Sequence, residues 1–225
     1  MTDDNSLLPS IWPRPNKNKI ILGKYCRLEP LQIFHHEGLY DLICCPDSEE
    51  RYQWLITMPK EKNPQVHYEW ISKLVTSEDP FVYVVINQTT NKIVGRFNLM
   101  RIAPEHGCIE IGGVLWGPDM SKSTIGTESF FLITQYVFED LKYRRFEWKC
   151  NDKNIASVNA AKRFGFTFEG TFRQHMVYKG TNRDTAWFSM LDSEWPKLKD
   201  SFVKWLSEDN FDKDGKQIQD LRSFR

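Results

Sequence analysis

The fold is decided by residues 108–170, which read CIEIGGVLWGPDMSKSTIGTESFFLITQYVFEDLKYRRFEWKCNDKNIASVNAAKRFGFTFEG. The hydrophobic patterns of this stretch predict a strand, a loop, a helix, a second strand, a second helix and a third strand, in that order. The first strand covers residues 110–116 and has Gly112 and Gly113 near its centre. Because glycine weakens a strand and marks a bulge or a close approach to the backbone, this pair indicates a ligand or a diverging neighbour strand.

A loop of small residues follows the first strand. Gly117 and Pro118 end the strand, the loop Ser-Lys-Ser-Thr-Ile-Gly covers residues 121–126, and an apolar helix is predicted over residues 127–140. The first N–H groups of a helix lack internal partners and lie at its positive end, where proteins bind phosphates. Lys122 adds a positive charge. The order of these elements therefore predicts a site for a cofactor with a nucleotide tail.

The second half of the stretch predicts a half-buried strand and a short helix. Apolar and charged side chains alternate over residues 146–150, and the polar residues 151–154 offer caps for the next helix. Alanines and Phe164 recur on one face of that helix, and Gly165 stands where its C-terminus favours left-handed backbone. A third strand opens at Phe166.

Residues 154–170, NIASVNAAKRFGFTFEG, resemble the second half of the acetyl-CoA site in the GNAT superfamily of N-acetyltransferases. Supporting segments are G-x-x-CRLEPL at 23–31, IEIG at 109–112, RDTAWFSM at 183–190 and Trp-Pro at 195–196. The chain is most similar to the RimJ/RimL-like branch, whose founding members acetylate N-terminal amines of ribosomal proteins. The resemblance covers residues 20–196 and implies direct transfer of acetyl from acetyl-CoA to a primary amine, of a protein N-terminus or a small molecule, in a ternary complex.

The resemblance also implies which residues bind the cofactor. Asn154 and Ser157 fall near the pantetheine arm and the sulfur, and their spacing at a helix start puts them on one face. In the simpler alternative, Asn154 only caps the helix and Ser157 is a tolerated small residue. The predicted cofactor-binding residues are Val114, Leu115, Trp116, Lys122, Ser123, Thr124, Ile125, Gly126, Thr127, Asn154 and Ser157.

The phosphate loop departs from the family pattern, which reads Gln/Arg-x-x-Gly-x-Gly/Ala. The patterned positions hold Ser121, Thr124 and Gly126, so only the last matches. A threonine at the central position costs conformational freedom where the backbone needs a positive φ. The alternative function is therefore a CoA-binding or interaction module of the same fold with weakened catalysis. A longer acyl chain is also compatible with the sequence.

Glu110 is the predicted general base, because the resemblance places it on the strand whose splayed end meets the thioester. Ser157 is the second predicted catalytic residue. In the structural alternative, Glu110 faces solvent or pairs with an arginine. Separately, His106 or His175 could relay protons. An α-amine has a pKa of about 7.7–8.0, against about 10.4 for a lysine, so a modest base suffices for it. An acetyl-cysteine intermediate at Cys150 is a further alternative, although an apolar strand position predicts a buried, inert thiol.

Trp54, Trp70 and His175 are the predicted substrate-binding residues. Helices are predicted over residues 33–44 and 65–76, and in this family such a pair flanks the acceptor entrance. Core packing is the alternative for both tryptophans.

Composition argues against several other classes of partner. The 225 residues include 30 basic and 30 acidic side chains, so net charge gives no drive toward nucleic acid. No apolar run reaches the ~20 residues of a membrane span. The five cysteines form no Cys-x-x-Cys pair, and residues 210–215 match only half of an EF-hand loop, so we predict no metal. We expect a cytoplasmic protein, and the sequence leaves its oligomeric state open.

The fold class expected is α/β, a single GNAT-like domain over residues 20–192 with a mixed central sheet of about seven strands flanked by helices. Hairpins are predicted over residues 81–100 and 171–191. Residues 1–19 are predicted to form a polar N-terminal arm, and residues 193–225 an amphipathic helix followed by a charged tail.

Overall fold

The computed structural model describes residues 8–56, 58–59 and 62–225. The strands of its sheet are β1 (Ile21–Leu22), β2 (Cys26–Pro30), β3 (Phe81–Asn87), β4 (Ile93–Ala103), β5 (Cys108–Trp116), β6 (Arg145–Asn151), β7 (Thr167–Tyr178) and β8 (Thr181–Leu191). The α-helices in this part of the chain are α1 (His36–Ile43), α2 (Ser48–Arg51), α3 (Pro64–Thr76), α4 (Thr124–Gln135), α5 (Ile155–Phe164) and α6 (Trp195–Leu206).

The strands form one eight-stranded sheet in the order β1-β2-β3-β4-β5-β6-β8-β7. Neighbouring strands are antiparallel except β5 and β6, which are parallel. A parallel pair needs a crossover connection, and α4 supplies it. The predicted α/β domain with a mixed sheet is confirmed, with eight strands in place of about seven.

The two faces of the sheet carry different side chains, because alternate residues of a strand point to opposite sides. One face is apolar and packs in the main core with residues of α4, α5 and α6. There Phe130 of α4 stacks on Phe164 of α5, with 4.1 Å between ring centroids. The other face carries a smaller apolar cluster, in which Val84 of β3 packs with Leu39 of α1 and Ile71 of α3. Beyond β3 this second face becomes polar and charged.

Helix α4 begins at Thr124, three residues before the predicted start at residue 127. Ser123 caps the helix, and its Oγ accepts a hydrogen bond from the N–H of Gly126 at 3.3 Å. Ile125 is buried in the main core, which stabilises this additional turn. The predicted loop is therefore shorter in the structure, and Thr124 belongs to the helix.

Both ends of the described chain pack against the domain. Trp12 is buried, and its Nε1 donates to the carbonyl of Lys142 at 2.6 Å, so the described part of the predicted N-terminal arm is anchored. Residues 1–7 of that arm lie outside the described residues. At the other end, α6 places Phe202 in the main core, and Leu221 in the tail is fully buried in the same core. The tail is mostly exposed but anchored, rather than wholly solvated.

No helix among the described residues combines the length and apolar character needed to cross a bilayer. The same residues contain no cluster of three or more His, Cys, Asp or Glu side chains arranged to hold a metal ion. In the half EF-hand motif, Asp212 accepts backbone N–H groups of Asp214 and Lys216 at 3.0 and 2.9 Å and closes its own turn.

Candidate active site

Strands β5 and β6 part halfway along their length. Their parallel pairing ends where Ile111 lies opposite Trp148, although both strands continue beyond that point. A cleft of about 1830 Å³ opens there, and it is lined by residues from both faces of the sheet. Trp148 lines it from the apolar face, and Glu110 and Lys149 line it from the polar face. The diverging strand that the glycine pair predicts is confirmed.

A β-bulge in β5 lies at the same place. Asn98 of β4 is paired with Gly112, and the register between β4 and β5 shifts by one residue just beyond this pair. Gly113 has a φ of 55°, and a Cβ on it would clash with Nδ2 of Asn98. Glycine is therefore required here both for its backbone conformation and for the room it leaves.

The start of α4 is a candidate anion site at the edge of the cleft. Lys122 carries the left-handed backbone of the loop, with a φ of 56°. Thr124 lies in the helix, so the conformational cost expected for it does not arise. The backbone N–H groups of Lys122, Ser123, Thr124 and Ile125 donate to no acceptor within the described part of the chain. Such unpaired groups at the positive end of a helix favour phosphate.

Two residues in the first turns of α4 shape this site. A Cβ on Gly126 would lie 2.6 Å from the carbonyl oxygen of Met120, so the loop backbone packs directly against the helix. Glu128 is buried and turns away from the loop. Its carboxylate accepts hydrogen bonds of 2.7 Å from the backbone N–H groups of Lys24, Tyr25 and Cys26. Its negative charge therefore ties α4 to the turn between β1 and β2 and leaves the helix start open to an anion.

Most of the predicted cofactor-binding residues border the cleft: Val114, Trp116, Lys122, Ser123, Thr124, Gly126, Thr127, Asn154 and Ser157. Leu115 and Ile125 do not. The Leu115 side chain packs in a cluster with Ile43 and Tyr52, and Ile125 points into the main core. The prediction is corrected for these two side chains, because strand and helix geometry turns them away and only their backbone groups remain available.

Asn154 and Ser157 stand at the start of α5. Asn154 Oδ1 accepts a hydrogen bond from the N–H of Ser157 at 3.1 Å, so Asn154 caps the helix and also borders the cleft. Trp148 Nε1 donates to Ser157 Oγ at 3.0 Å. Since an indole N–H can only donate, the serine oxygen is the acceptor, and the hydroxyl proton can be donated to another partner, such as the Cys150 sulfur or a bound ligand. Ser157 is thus a candidate hydrogen-bond donor to a sulfur atom.

Glu110 is buried on the polar face. Its Oε1 accepts a hydrogen bond from Arg101 Nη1 at 2.7 Å, and its Oε2 lies 2.9 Å from Lys149 Nζ. The alternative in which Glu110 pairs with an arginine is therefore present in the structure, together with a position in the cleft. A carboxylate between two cations still accepts a hydrogen bond from a neighbouring amine or water.

The three predicted substrate-binding residues, Trp54, Trp70 and His175, all border the cleft. His175 Nδ1 lies 3.1 Å from Thr185 Oγ1. His106 is different: it precedes β5, in the turn after β4, and does not line the cleft. Its position outside the cleft gives no support to the alternative of a proton relay through His106.

Sequence reasoning missed Arg96 and Asn98 of β4, which also border the cleft. Arg96 Nη1 donates to Asn98 Oδ1 at 2.8 Å, and the guanidinium carbon lies 4.8 Å from the ring centroid of Trp70. A signal was present, because these two polar residues alternate inside an otherwise apolar strand. The tail residues Phe211 and Arg222 border the cleft as well, and nothing local in the sequence indicates this.

Cys150 borders the cleft but is buried, and burial raises the pKa of its thiol. The thiolate is the nucleophilic form of cysteine. The raised pKa keeps Cys150 protonated near neutral pH, which argues against an acetyl-cysteine intermediate.

The residues present fit acetyl-CoA. The free N–H groups at the start of α4 and the charge of Lys122 suit its phosphates. Trp116 Nε1 is buried at the cleft and has no acceptor in the described chain, so an oxygen of a bound ligand would satisfy it. A mixed sheet that splits beside a helix start suited to phosphate, with a serine hydroxyl at the split, is the arrangement expected of a transferase that uses a nucleotide-tailed donor.

Comparison with known proteins gives the family. The model of the acetyltransferase (GNAT) domain matches residues 26–167. A GCN5-related N-acetyltransferase from Brucella melitensis, known from its crystal structure, is 47% identical with a TM-score of 0.92, over 96% of this chain and 97% of that one. The chain belongs to the GNAT acetyltransferase family and carries an N-acetyltransferase domain.

More distant relatives agree with this family. The uncharacterized N-acetyltransferase p20 of Bacillus licheniformis is 27% identical over 117 residues, which are 50% of this chain and 63% of that protein. The match thus spans less than two thirds of that relative. RimL, a ribosomal L7/L12 alpha-N-protein acetyltransferase solved with coenzyme A, shares the fold at 19% identity and a TM-score of 0.64, over 78% of this chain and 99% of that one. Membership of the RimJ/RimL-like branch stays a prediction.

Proposed function

We propose that this protein transfers acetyl from acetyl-CoA directly to a primary amine, in a complex that holds both substrates. The observation that carries the proposal is the parting of β5 and β6. The gap joins the anion site at the start of α4 and Ser157 to Glu110 on the opposite face of the sheet. Residues on both faces can therefore act on the same reacting atoms.

The α4 side of the cleft holds the donor. Acetyl-CoA, when bound, supplies the acyl group as a thioester. Lys122 and the free N–H groups at the start of α4 bind the phosphates, and the unpartnered indole N–H of Trp116 and the amide of Asn154 offer hydrogen bonds further along. The Ser157 hydroxyl donates a hydrogen bond to the departing sulfur and stabilises the thiolate as the carbon–sulfur bond breaks, while Trp148 holds the serine oxygen in place.

The polar face handles the proton of the amine. Glu110, held by Arg101 and Lys149, accepts a hydrogen bond from the amine or from a water that carries its proton. An α-amine with a pKa of about 7.7–8.0 is already partly neutral near pH 7, so this weak assistance suffices. The α-amine of a protein or peptide is therefore a favoured acceptor. The shared fold with an alpha-N-protein acetyltransferase supports including such peptides in a test.

The test presents acetyl-CoA with a panel of N-terminal peptides and small amines. Release of free thiol and gain of one acetyl group are measured together, the second by mass spectrometry. We expect at least one amine to gain acetyl at the rate at which thiol appears. Ser157→Ala should slow both signals. Ser72→Ala, which removes an exposed hydroxyl bonded to the Tyr68 carbonyl, is the control and should leave them unchanged.

The alternative of a binding module without catalysis gives a different result. Acetyl-CoA would stabilise the fold, by ~2.7 kcal/mol at 100 times its dissociation constant, yet no amine would release thiol. Absence of both binding and turnover would remove the proposal entirely.

A further inference from the structure

Arg96 is a buried cation at the cleft without a carboxylate partner. Its side chain is 1% exposed, and no Asp or Glu of the described residues forms an ion pair with it. Burial lowers the pKa of its guanidinium to about 10, and no acidic neighbour offsets this. A buried charge without an opposite charge is unfavourable, and proteins normally pair such groups.

The neighbours of Arg96 satisfy it only in part. Asn98 Oδ1 accepts a hydrogen bond from Nη1, and the ring of Trp70 faces the guanidinium. The Nε–H has no acceptor in the described chain. Neither contact supplies negative charge, and the Nε edge belongs to the planar fork with which arginine binds a carboxylate through two parallel hydrogen bonds. The surroundings of Arg96 therefore supply hydrogen-bond and ring contacts but no negative charge to balance its guanidinium.

The position of Arg96 ties it to the reaction. Asn98, its hydrogen-bond partner, is paired with Gly112 at the point where β5 and β6 part. The side chain of Asn98 also fills the space that Gly113 leaves open in the bulge. An anion bound by Arg96 would therefore lie close to the amine that is acetylated, on the same molecule.

The rest of the acceptor half is also rich in positive charge. Arg101, Lys149 and Arg183 border it, and Arg183 Nε is likewise buried without an acceptor in the described residues. Glu110 is engaged by two of these cations. Asp47 and Glu50 also border the cleft, but Asp47 is paired with Arg51, and the cations outnumber the carboxylates. Such surroundings disfavour polyamines and aminoglycosides, which carry several positive charges.

We propose that Arg96 binds a carboxylate of the acceptor, so that the preferred acceptors are primary amines that carry a carboxylate close to the amine. Two sources share this chemistry: a free amino acid, and a peptide whose first residue is acidic. The proposal rests on the acetyltransferase function proposed above and names the class of its acceptor.

The experiment uses two matched acceptor pairs with the full chain. The first pair is glutamate, which has two carboxylates, and glutamine amide, which has none. The second pair is two peptide amides that differ only in beginning with Glu or with Gln. The ratio of kcat/KM within each pair is measured by thiol release. We expect the carboxylate member to be preferred at least about tenfold in one pair, which identifies the source. Most of the preference should appear in KM.

Variants then assign the preference to Arg96. In Arg96→Gln the ratio should fall close to one, and in Arg96→Lys, which keeps the charge but loses the fork, it should be intermediate. Arg173→Gln, at an exposed position of β7 outside the cleft, is the control and should keep the wild-type ratio. Should Arg96→Gln not fold, the wild-type ratio and Arg96→Lys still test the proposal.

Several outcomes overturn the proposal. If the wild-type kcat/KM ratio is near one in both pairs, the enzyme does not recognise the carboxylate and the proposal fails. Thiol release with the same amines would still support the acetyltransferase function. A preference that survives in Arg96→Gln and disappears in Arg183→Gln would move the site to Arg183. If no amine is turned over, calorimetry with N-acetylglutamate and its diamide decides, because binding of both with equal affinity contradicts the role of Arg96.

Discussion

The apolar and polar faces of the central sheet are built from alternate residues of the same strands. Ile111 of β5 lies opposite Trp148 of β6 on the apolar face, and Glu110 lies opposite Glu147 on the polar face. The apolar side chains interlock with α4 and α6. The polar side chains form a chain of ion pairs that runs across β4, β5, β6 and β7 through Arg101, Glu110, Lys149, Glu147, Arg145 and Glu169.

The difference separates stability from chemistry. Burial of apolar area on one face supplies most of the folding free energy, because surface ion pairs such as those toward β7 contribute little. The charged face costs stability where charges are buried, and it borders the cleft. We expect substitutions on the apolar face to change the free energy of unfolding, and substitutions on the polar face to change turnover.

The largest effect is expected for Glu110→Gln. Loss of a general base lowers kcat by about 10²- to 10⁴-fold, and the amide cannot accept the amine proton. Affinity for acetyl-CoA, measured by calorimetry, should stay close to wild type, and the acidic limb of the pH–rate profile should disappear or shift.

The matched control is Glu147→Gln. Glu147 lies 2.7 Å from the same lysine, Lys149, but does not border the cleft. We expect its kcat to stay within a few-fold of wild type. Equal losses in the two variants would mean that Glu110 acts only by holding Lys149 and Arg101, and the base would then be His175 or bulk water.

The second prediction concerns the apolar face. Phe130→Ala removes a buried ring that stacks on Phe164, and should lower the free energy of unfolding by about 3–5 kcal/mol in urea denaturation. Phe172→Ala is the same substitution at a 52% exposed ring against Trp187 and should cost less than about 1 kcal/mol. Similar costs for both variants would contradict the division between the faces.

The sequence predicts the elements around the cleft well, because each depends on a local pattern. The alternation of residues 146–150 and the glycines at 112, 113 and 165 are signals that neighbours along the chain determine. The unpredicted features depend on contacts between distant segments. Trp12 finds its partner 130 residues away. Leu115 turns from the cleft because of the bulge register, and it packs beside Ile43 of α1 and Tyr52.

The polar site was harder to predict for the same reason. A family resemblance is needed to predict Glu110 and Ser157, and the hydrogen bond from Trp148 Nε1 to Ser157 Oγ is visible only in three dimensions. Arg96 and Asn98 are the two polar residues of the strand predicted over residues 93–100. The absence of a carboxylate beside Arg96, within the residues the structure describes, is a property of the fold rather than of the strand.

The third prediction tests Ser157, which reaches the gap from the apolar side. Ser157→Ala should lower kcat by about 10² or less, the low end of acid catalysis, because a thiol with a pKa of about 8.5 leaves readily even without a proton. The acidic limb of the pH–rate profile should not move. Ser157→Thr keeps the hydroxyl and should recover activity, whereas loss in both variants would indicate a packing role beside Trp148.

The smallest effect is expected at the rim of the cleft, where neither face dominates. Lys122→Ala should raise the dissociation constant of CoA about threefold to fivefold, since a single exposed charge contributes roughly 1 kcal/mol or less, and the effect should fade at high salt. Calorimetry at two salt concentrations measures both. Lys179→Ala is the control, because Lys179 shares the left-handed backbone, with a φ of 50°, but lies outside the cleft. If the two variants bind CoA equally well, the phosphates are held by the free N–H groups of α4 alone, and the charge of Lys122 contributes nothing to the site.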